Sequence, residues 1–372
     1  MRNMDQLKRA GRAVVVLLLM MLAGCATRPG PEVLNPTAAL VPGARVVTAY
    51  VATTREREIA GSNVYNNNRS GKSNYAAFKI SIPPGHKVGQ IEWPSGTPDP
   101  AVDFVTAQQE VLDRKTFEQR LSSGRKDRRT AVFVHGFNTN FQEALFRLAQ
   151  MTADSDLGAQ PILFAWPSEA TVTGYVADKD AVTSSRDQLA ELLSMLARKP
   201  GAGEVVVIGH SMGSWLVMEA LRQLGLSGQN AVVGRLSVVL AAPDIDVDVF
   251  RSQMKVVGPL SPPMTLLVSR DDKALALSGR IAGERPRVGA LDVDDPRVQE
   301  AALSAKVQIV DISNVAATDR FNHDRYTNLA ALYPRLATSP GLHRSGVFVL
   351  DTVGATLVRP FQLIGNALPA ER

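Results

Sequence analysis

The feature that most constrains this chain is a junction. Glu204–Ile208 (EVVVI) is a short, β-branched apolar run, and Ser211–Leu224 has helical periodicity. Only Gly209-His210-Ser211-Met212-Gly213 joins them. A buried strand that turns straight into a helix needs a sheet with helices packed on its faces. G-x-S-x-G alone is weak, arising by chance on the order of once in ten chains of this length. Between a strand and a helix it is the pattern of a nucleophile elbow. The turn is so tight that side chains two residues either side of the serine would clash, and Gly209 and Gly213 remove them. Ser211 then stands at a helix N-terminus, where free N–H groups and the helix dipole favour developing negative charge.

The rest of the chain repeats the alternation. Val46–Val51, Tyr75–Ile82, Thr130–Val134 (TAVFV), Pro161–Trp166 (PILFAW), Leu236–Ala241, Met264–Ser269 and Val307–Ile312 read as strands, and the polar segment Gly61–Ser73 as an exposed loop. Asn140 and Glu143 suit a capping box ahead of a helix with Phe141, Ala144, Leu145, Leu148 and Ala149 on one face. Ala181–Ala197 is amphipathic. Strands alternating with helices predict an α/β fold, with a mostly parallel sheet covered on both faces. Sites in such sheets lie at the carboxyl ends of the strands.

The arrangement resembles an α/β-hydrolase. Val134-His135-Gly136-Phe137-Asn138 follows one strand and precedes a helix, where that fold places one oxyanion-hole amide. The second amide comes from the residue after the nucleophile, so the hole is assigned to Phe137 and Met212. His135 is expected to order this loop, and His210 to pack. The fold's chain order is nucleophile, acid, histidine. Of the five histidines, His86 and His135 precede Ser211 and His210 adjoins it. His323, soon after the strand Val307–Ile312, is the expected base, with His343 as the alternative. The acid is expected after the strand Met264–Ser269, at Asp271 or Asp272, with Asp244 and Asp246 as alternatives.

The N-terminus reads as an address. Arg2, Lys8, Arg9 and Arg12 precede the apolar run Ala13–Gly24, a secretory signal pattern too short to span a bilayer comfortably. Leu22-Ala23-Gly24-Cys25 resembles the lipobox of bacterial lipoproteins. That resemblance implies cleavage before Cys25 and lipidation of this single cysteine, which also rules out an internal disulfide. Ala26, not aspartate, follows; in a Gram-negative host the sorting pattern then favours the periplasmic face of the outer membrane. Residues 25–44, rich in proline after the cysteine, are expected to be a tether holding the domain off the membrane. Removal of residues 1–24 takes the formal charge from +5 to +2, which gives little reason to expect nucleic acid as a partner. The basic run at 125–129 reads as a solvated loop.

Other candidates are set aside. Asp244–Asp248 alternates like a calcium loop, but Val249 and Lys255 stand where an EF-hand needs Gly and Glu. Asp292–Asp295 before Pro296 reads as a helix start, and no His/Cys spacing suits zinc. No metal or cofactor is expected. The apolar residues 346–372, with Asp351, Arg359 and Pro360, are expected to form a helix packed on the domain.

Six stretches match, in order, an uncharacterised bacterial family of α/β-hydrolases described as esterase/lipase-superfamily proteins of unknown function. They are Val51–Arg55 (VATTR), Phe133–Phe141 (FVHGFNTNF), Ala165–Ser168 (AWPS), Gly209–Ala220 (GHSMGSWLVMEA), Leu240–Phe250 (LAAPDIDVDVF) and Ser269–Leu275 (SRDDKAL). The resemblance implies one hydrolase domain over residues 45–345. It also implies Asp272 as the acid, because the family's aspartate directly precedes a basic residue and Ala-Leu, as in Asp272-Lys273-Ala274-Leu275. The expected activity is serine-dependent hydrolysis of small-molecule or lipid carboxylic esters through an acyl-enzyme, on a chain anchored to the cell envelope. Amide, peptide or thioester cleavage by the same groups is the alternative chemistry. A catalytically silent scaffold that binds envelope partners is the alternative of another kind. About twenty residues separate Ala241 from the strand at Met264, where many lipases insert a lid, so no large cap domain is expected.

Overall fold

The computed structural model describes residues 28–37, 41–123, 129–155, 158–198, 203–329, 346–350 and 356–358. The signal segment, Cys25, His343, most of the 125–129 run and residues 359–372 lie outside the described residues.

The eleven strands of the described residues form one sheet. They are β1 (Arg45–Arg57), β2 (Tyr65–Ile82), β3 (Val105–Leu112), β4 (Thr130–Val134), β5 (Gln160–Ala165), β6 (Val205–His210), β7 (Leu236–Ala241), β8 (Thr265–Val268), β9 (Gln308–Asp311), β10 (Gly346–Leu350) and β11 (Thr356–Val358). Their order is β11-β10-β9-β8-β7-β6-β4-β5-β1-β2-β3. Strands β10 through β1 in that order are parallel, and antiparallel β11 at one edge and β2–β3 at the other close it. The parallel strands are buried almost throughout, as their unbroken apolar runs require. This is the expected α/β-hydrolase architecture.

Ten helices are described: α1 (Arg114–Ser122), α2 (Phe141–Ser155), α3 (Tyr175–Ser184), α4 (Arg186–Arg198), α5 (Met212–Leu226), α6 (Asn230–Val233), α7 (Val247–Val257), α8 (Lys273–Ile281), α9 (Pro296–Ser304) and α10 (Tyr326–Leu329). They divide the core between the two faces of the sheet. Leu189, Leu193, Leu216, Leu221 and Phe250 of α4, α5 and α7 lie in one buried cluster, and Phe141, Leu145, Phe146 and Leu148 of α2 in the other. Among the described residues only α7 separates β7 from β8, so no large cap stands there.

Four expectations change. Tyr65–Ser73 belongs to the 18-residue β2 and is not a loop. This end of the β1–β2 ribbon is largely solvated on both faces, so its polar sequence shows no alternation to read. The amphipathic stretch 181–197 is two helices, broken at Ser185, whose hydroxyl donates to the Ala181 carbonyl. The C-terminal residues 346–350 and 356–358 are strands, not a helix. Gly346–Leu350 (GVFVL) extends the sheet beside β9, and its β-branched and aromatic residues suit that buried position.

The fourth correction concerns the tether. Residues 28–37 lie on the domain. Pro31–Leu34 forms a 3₁₀ turn that buries Val33 and Leu34, and Thr37 N–H donates to Thr106 O while Thr106 Oγ donates to Val33 O. Two apolar side chains give this proline-rich stretch a reason to dock, and its prolines leave less freedom to lose.

One feature of the topology places the site. Strand β4 lies between β5 and β6, so the chain leaves β4 toward one side of the sheet and later returns to the other. The loops after β4 and β6 therefore diverge around a crevice at the carboxyl ends, where open α/β sheets bind ligands.

Candidate active site

Ser211 sits in that crevice. Its backbone lies at φ 53° and ψ −119°, a region that non-glycine residues seldom occupy. The turn is held by Ser211 N–H to Ala241 O at 2.9 Å, Asp244 N–H to Ser211 O at 3.2 Å and Ser214 Oγ to Gly209 O at 2.8 Å. The glycines are required by contact. A Cβ on Gly213 would lie 2.4 Å from the carbonyl oxygens of Val134 and His135, and one on Gly209 would lie 2.8 Å from Ser214 Cα. Both obstacles are backbone, which cannot move aside cheaply.

The loop after β4 meets the elbow at Gly136, where a Cβ would lie 3.0 Å from Ser211 Cβ. This brings the adjacent Phe137 to the serine. Met212 is the first residue of α5, so its amide has no partner within the helix. Of the two expected oxyanion donors, Met212 thus follows Ser211 directly and Phe137 lies one residue beyond the contact at Gly136.

On the other side, His323 Nδ1 lies 2.6 Å from Asp272 Oδ2, and the Asp272 side chain is fully buried. The carboxylate accepts a hydrogen bond from Nδ1–H, which leaves the lone pair of the neutral ring on Nε2. Asp272 Oδ1 accepts the Leu275 amide at 2.9 Å, so the acid is also the N-cap of α8. Burial pulls the His323 pKa down, but the hydrogen bond and charge of Asp272, with Asp244 and Asp319 adding, hold it above the ordinary 6.5.

The other candidate acids are engaged elsewhere. Asp271 forms a two-point pair with Arg325 and accepts from Ser269 Oγ and Asn322 Nδ2. The Arg325 hydrogen bond is the main reason its pKa falls to about 2. Asp244 accepts from Tyr175 OH at 2.9 Å and from Ser278 Oγ, and pairs with Arg287 at 3.2 Å. Asp246 caps α7 through the amides of Asp248 and Val249.

His210 packs beside the base. Its ring stacks on Tyr326, with centroids 4.2 Å apart, and tilts against His323 at 4.7 Å. Its Nε2 is 3.3 Å from His323 O, an atom that only accepts, so Nε2 carries the proton. Burial, with His323 next, pushes its pKa well below 6.5 and keeps it neutral. His135 stacks on Trp166 at 4.8 Å and places its ring nitrogens on the carbonyls of Gly136 and Trp166. Burial drops its pKa to about 3, so it too is neutral.

Sequence reasoning missed the side chains that brace the oxyanion loop. Arg55, 1% exposed, donates to Thr139 O at 2.9 Å and Asn67 Oδ1 at 2.9 Å. Burial lowers its pKa to about 10, which leaves it charged at neutral pH. Asp178 accepts from Ser168 Oγ at 2.6 Å, Glu169 N–H at 2.7 Å and Asn138 N–H at 3.2 Å. The Asn140–Glu143 capping box forms as expected, at 2.9 and 2.8 Å. Arg28 grips Glu143 with two nitrogens and reaches Asn138 Oδ1, Asn138 O and Ala170 O. Arg55 and Ser168 end the stretches VATTR and AWPS, which were visible in the sequence without a role.

A cavity of about 580 Å³ lies apart from this crevice. Leu148, Val206, Val239, Leu267 and Val310 line it, and Ser211, Asp272 and His323 do not. Among the described residues no group of three or more His, Cys, Asp or Glu side chains could hold a metal, and no helix is long and apolar enough to cross a membrane.

The family model described as "Alpha/beta hydrolase of unknown function (DUF900)" matches residues 109–339, more than half of the chain. An uncharacterised protein of Nostoc sp. is 25% identical over 202 residues, which cover 47% of this chain and 50% of that protein. The chain thus spans about half the length of this curated relative. A protein of Agrobacterium vitis described as a hydrolase is 13% identical, with a TM-score of 0.31 over 66% of this chain and 88% of that one. A lipase-esterase related protein of Clostridium acetobutylicum is 14% identical, with a TM-score of 0.25 over 56% and 82%. Likenesses this distant do not speak for chemistry.

Proposed function

The chain belongs to this family of α/β-hydrolases of unknown function, and from that premise we propose that it is a serine hydrolase cleaving carboxylic esters through an acyl-enzyme. The observation that carries the reading is the 2.6 Å bond from His323 to a buried carboxylate, on the loop that reaches the neighbourhood of a strained Ser211. Ser211 Oγ adds to the ester carbonyl while His323 Nε2 takes its proton. The oxyanion is received by the amides of Phe137 and Met212, a contribution on the order of 100-fold or more per donor. His323 returns the proton to the leaving alcohol. Water then adds to the acyl-enzyme with the same base, and the acid departs as Ser211 regains its proton. Asp272 stays ionised and holds the ring.

The second half of the reading is address. Cys25 carries lipid after signal cleavage and anchors the chain to the envelope, at the periplasmic face of the outer membrane in a Gram-negative host. The lipobox-like residues 22–25 support this. A fluorophosphonate probe tests the chemistry: the wild type should label and Ser211→Ala should not. Labelling unaffected by Ser211→Ala, or no labelling of the folded wild type, would overturn it. The anchor is tested by fractionation. Cys25→Ser should leave membranes while keeping its fold, and its unchanged recovery there would remove the lipid as the attachment.

A further inference from the structure

The docked N-terminal segment says where an anchor at Cys25 would hold the domain. Arg28 is only three residues from Cys25, and three residues span at most about 11 Å. Yet Arg28 is fixed to the loop that borders Ser211, through Glu143, Asn138 and Ala170. The next residue repeats the attachment, since Pro29 O accepts from Asn140 Nδ2 at 3.0 Å and Gln142 Nε2 at 3.3 Å. Beyond it Val33 and Leu34 are buried. There is no slack in this stretch for the domain to stand away from the bilayer.

A second observation concerns the same face. Large apolar residues are exposed on the segments that carry the acid and the base and on the one beside them: Val172 (77%), Val176 (70%), Leu277 (54%), Ile281 (56%) and Phe321 (42%). They belong to neighbouring segments. Tyr175 OH lies 3.3 Å from Ser278 Oγ, joining α3 to α8, and Lys273 N–H donates to Phe321 O at 2.9 Å, joining α8 to the histidine loop. Lys273, Arg280 and Arg320 are exposed on or beside the same segments, as are Glu169, Asp180 and Glu284. The nearby Asp271 and Asp272 are taken up by Arg325 and His323. Exposed apolar side chains interspersed with charges of both signs suit the interface of a bilayer.

The geometry points to the active-site face as a membrane-docking surface: the chain is moored at the rim of its own oxyanion loop, and its crevice opens onto the bilayer. The substrate class is then an acyl ester carried by that bilayer with its carbonyl at headgroup level. This inference rests on the anchored-hydrolase reading, and the docking itself can be measured without turnover.

The lipidated full chain, reconstituted into vesicles of phosphatidylethanolamine and phosphatidylglycerol at 3:1, provides the test. Val176→Cys or Leu277→Cys adds one free thiol for an environment-sensitive dye. Val102→Cys is the control. It precedes β3, whose first residues pair through Ser81 with the start of β1, at the opposite end of the sheet. Headgroup-level spin-labelled lipid should quench the dyes at 176 and 277 at least about 2-fold more than the dye at 102. Inserting twenty Gly/Ser residues between Thr27 and Arg28 should lower that quenching toward the control. Equal quenching at all three sites, quenching indifferent to the spacer, or a chain whose mass shows no lipid on Cys25 would each overturn the proposal. Quenching as expected without fluorophosphonate labelling would support the docking surface and sink only the serine-hydrolase reading.

Discussion

The loop on one side of Ser211, residues 137–140, is braced by buried charge, whereas the loops on the other side are tied to each other. Arg55 and Asp178, both fully enclosed, fix the first through its backbone carbonyl and amide groups. The second side is joined by Asp272 to His323 and by Asp271 to Arg325, with Asp319 holding the amide of His323 at 2.9 Å. The contrast follows from the work proposed for each. An oxyanion hole stabilises charge best if its donors do not reorganise. A general base has to exchange a proton, so one ring nitrogen is left outside the network.

The sharpest way to break the comparison is to remove the groups that meet in the middle. Ser211→Ala and His323→Ala should each lower kcat for a p-nitrophenyl ester by on the order of 10⁴-fold or more. Retained activity in either would end the assignment. Next come the adjacent aspartates. Asp272→Asn should lower kcat on the order of 10⁴-fold with the fold intact, because the ring loses its orienting acceptor. Asp271→Asn should cost less than about 10-fold in kcat and on the order of 1–2 kcal/mol in stability, through a weaker Arg325 pair. The reverse ranking would transfer the acid's role to Asp271.

The braced side should respond differently. Arg55→Lys keeps a cation but loses the planar fork that reaches Thr139 and Asn67 together. Loosening the loop should lower kcat by about 10- to 100-fold while KM changes little. Fluorophosphonate labelling should slow without disappearing. A change confined to thermal stability would make Arg55 a fold residue only.

pH separates the two sides more gently. The kcat/KM profile should fall on the acid side with an apparent pKa above 6.5, since the active base is neutral His323 and its pKa is raised. Stability should move in the opposite direction. A raised native pKa adds stability that is complete below the unfolded value near 6.5 and is lost as pH rises through the native value. The ratio of folded-state stability at pH 6 to that at pH 8 should therefore shrink in Asp272→Asn. The smallest effect concerns the acyl group. With no large cap among the described residues, p-nitrophenyl esters from acetate to palmitate, dispersed in detergent with no bilayer present, should favour the shorter chains by a few-fold; a clear optimum at palmitate would sink that expectation.

What the sequence determined by itself was local and periodic. The alternation of apolar runs and helical stretches specified a parallel sheet, because strands buried on both faces have no polar positions. The elbow, the capping box at Asn140 and Glu143 and the helix start at Asp295 were legible, since each is closed within a few residues. Tertiary structure decided the remainder. Asp271 and Asp272 differ only in which partner the fold brings up, Arg325 or His323, each some fifty positions along the chain. Arg55 had no role in the sequence, because nothing local marks an arginine for burial. Its burial depends on a carbonyl and an amide supplied by Thr139 and Asn67. Arg28 looked like part of a loose tether for the same reason, since its partners at Asn138, Glu143 and Ala170 are over a hundred residues away and adjoin only once the sheet has formed.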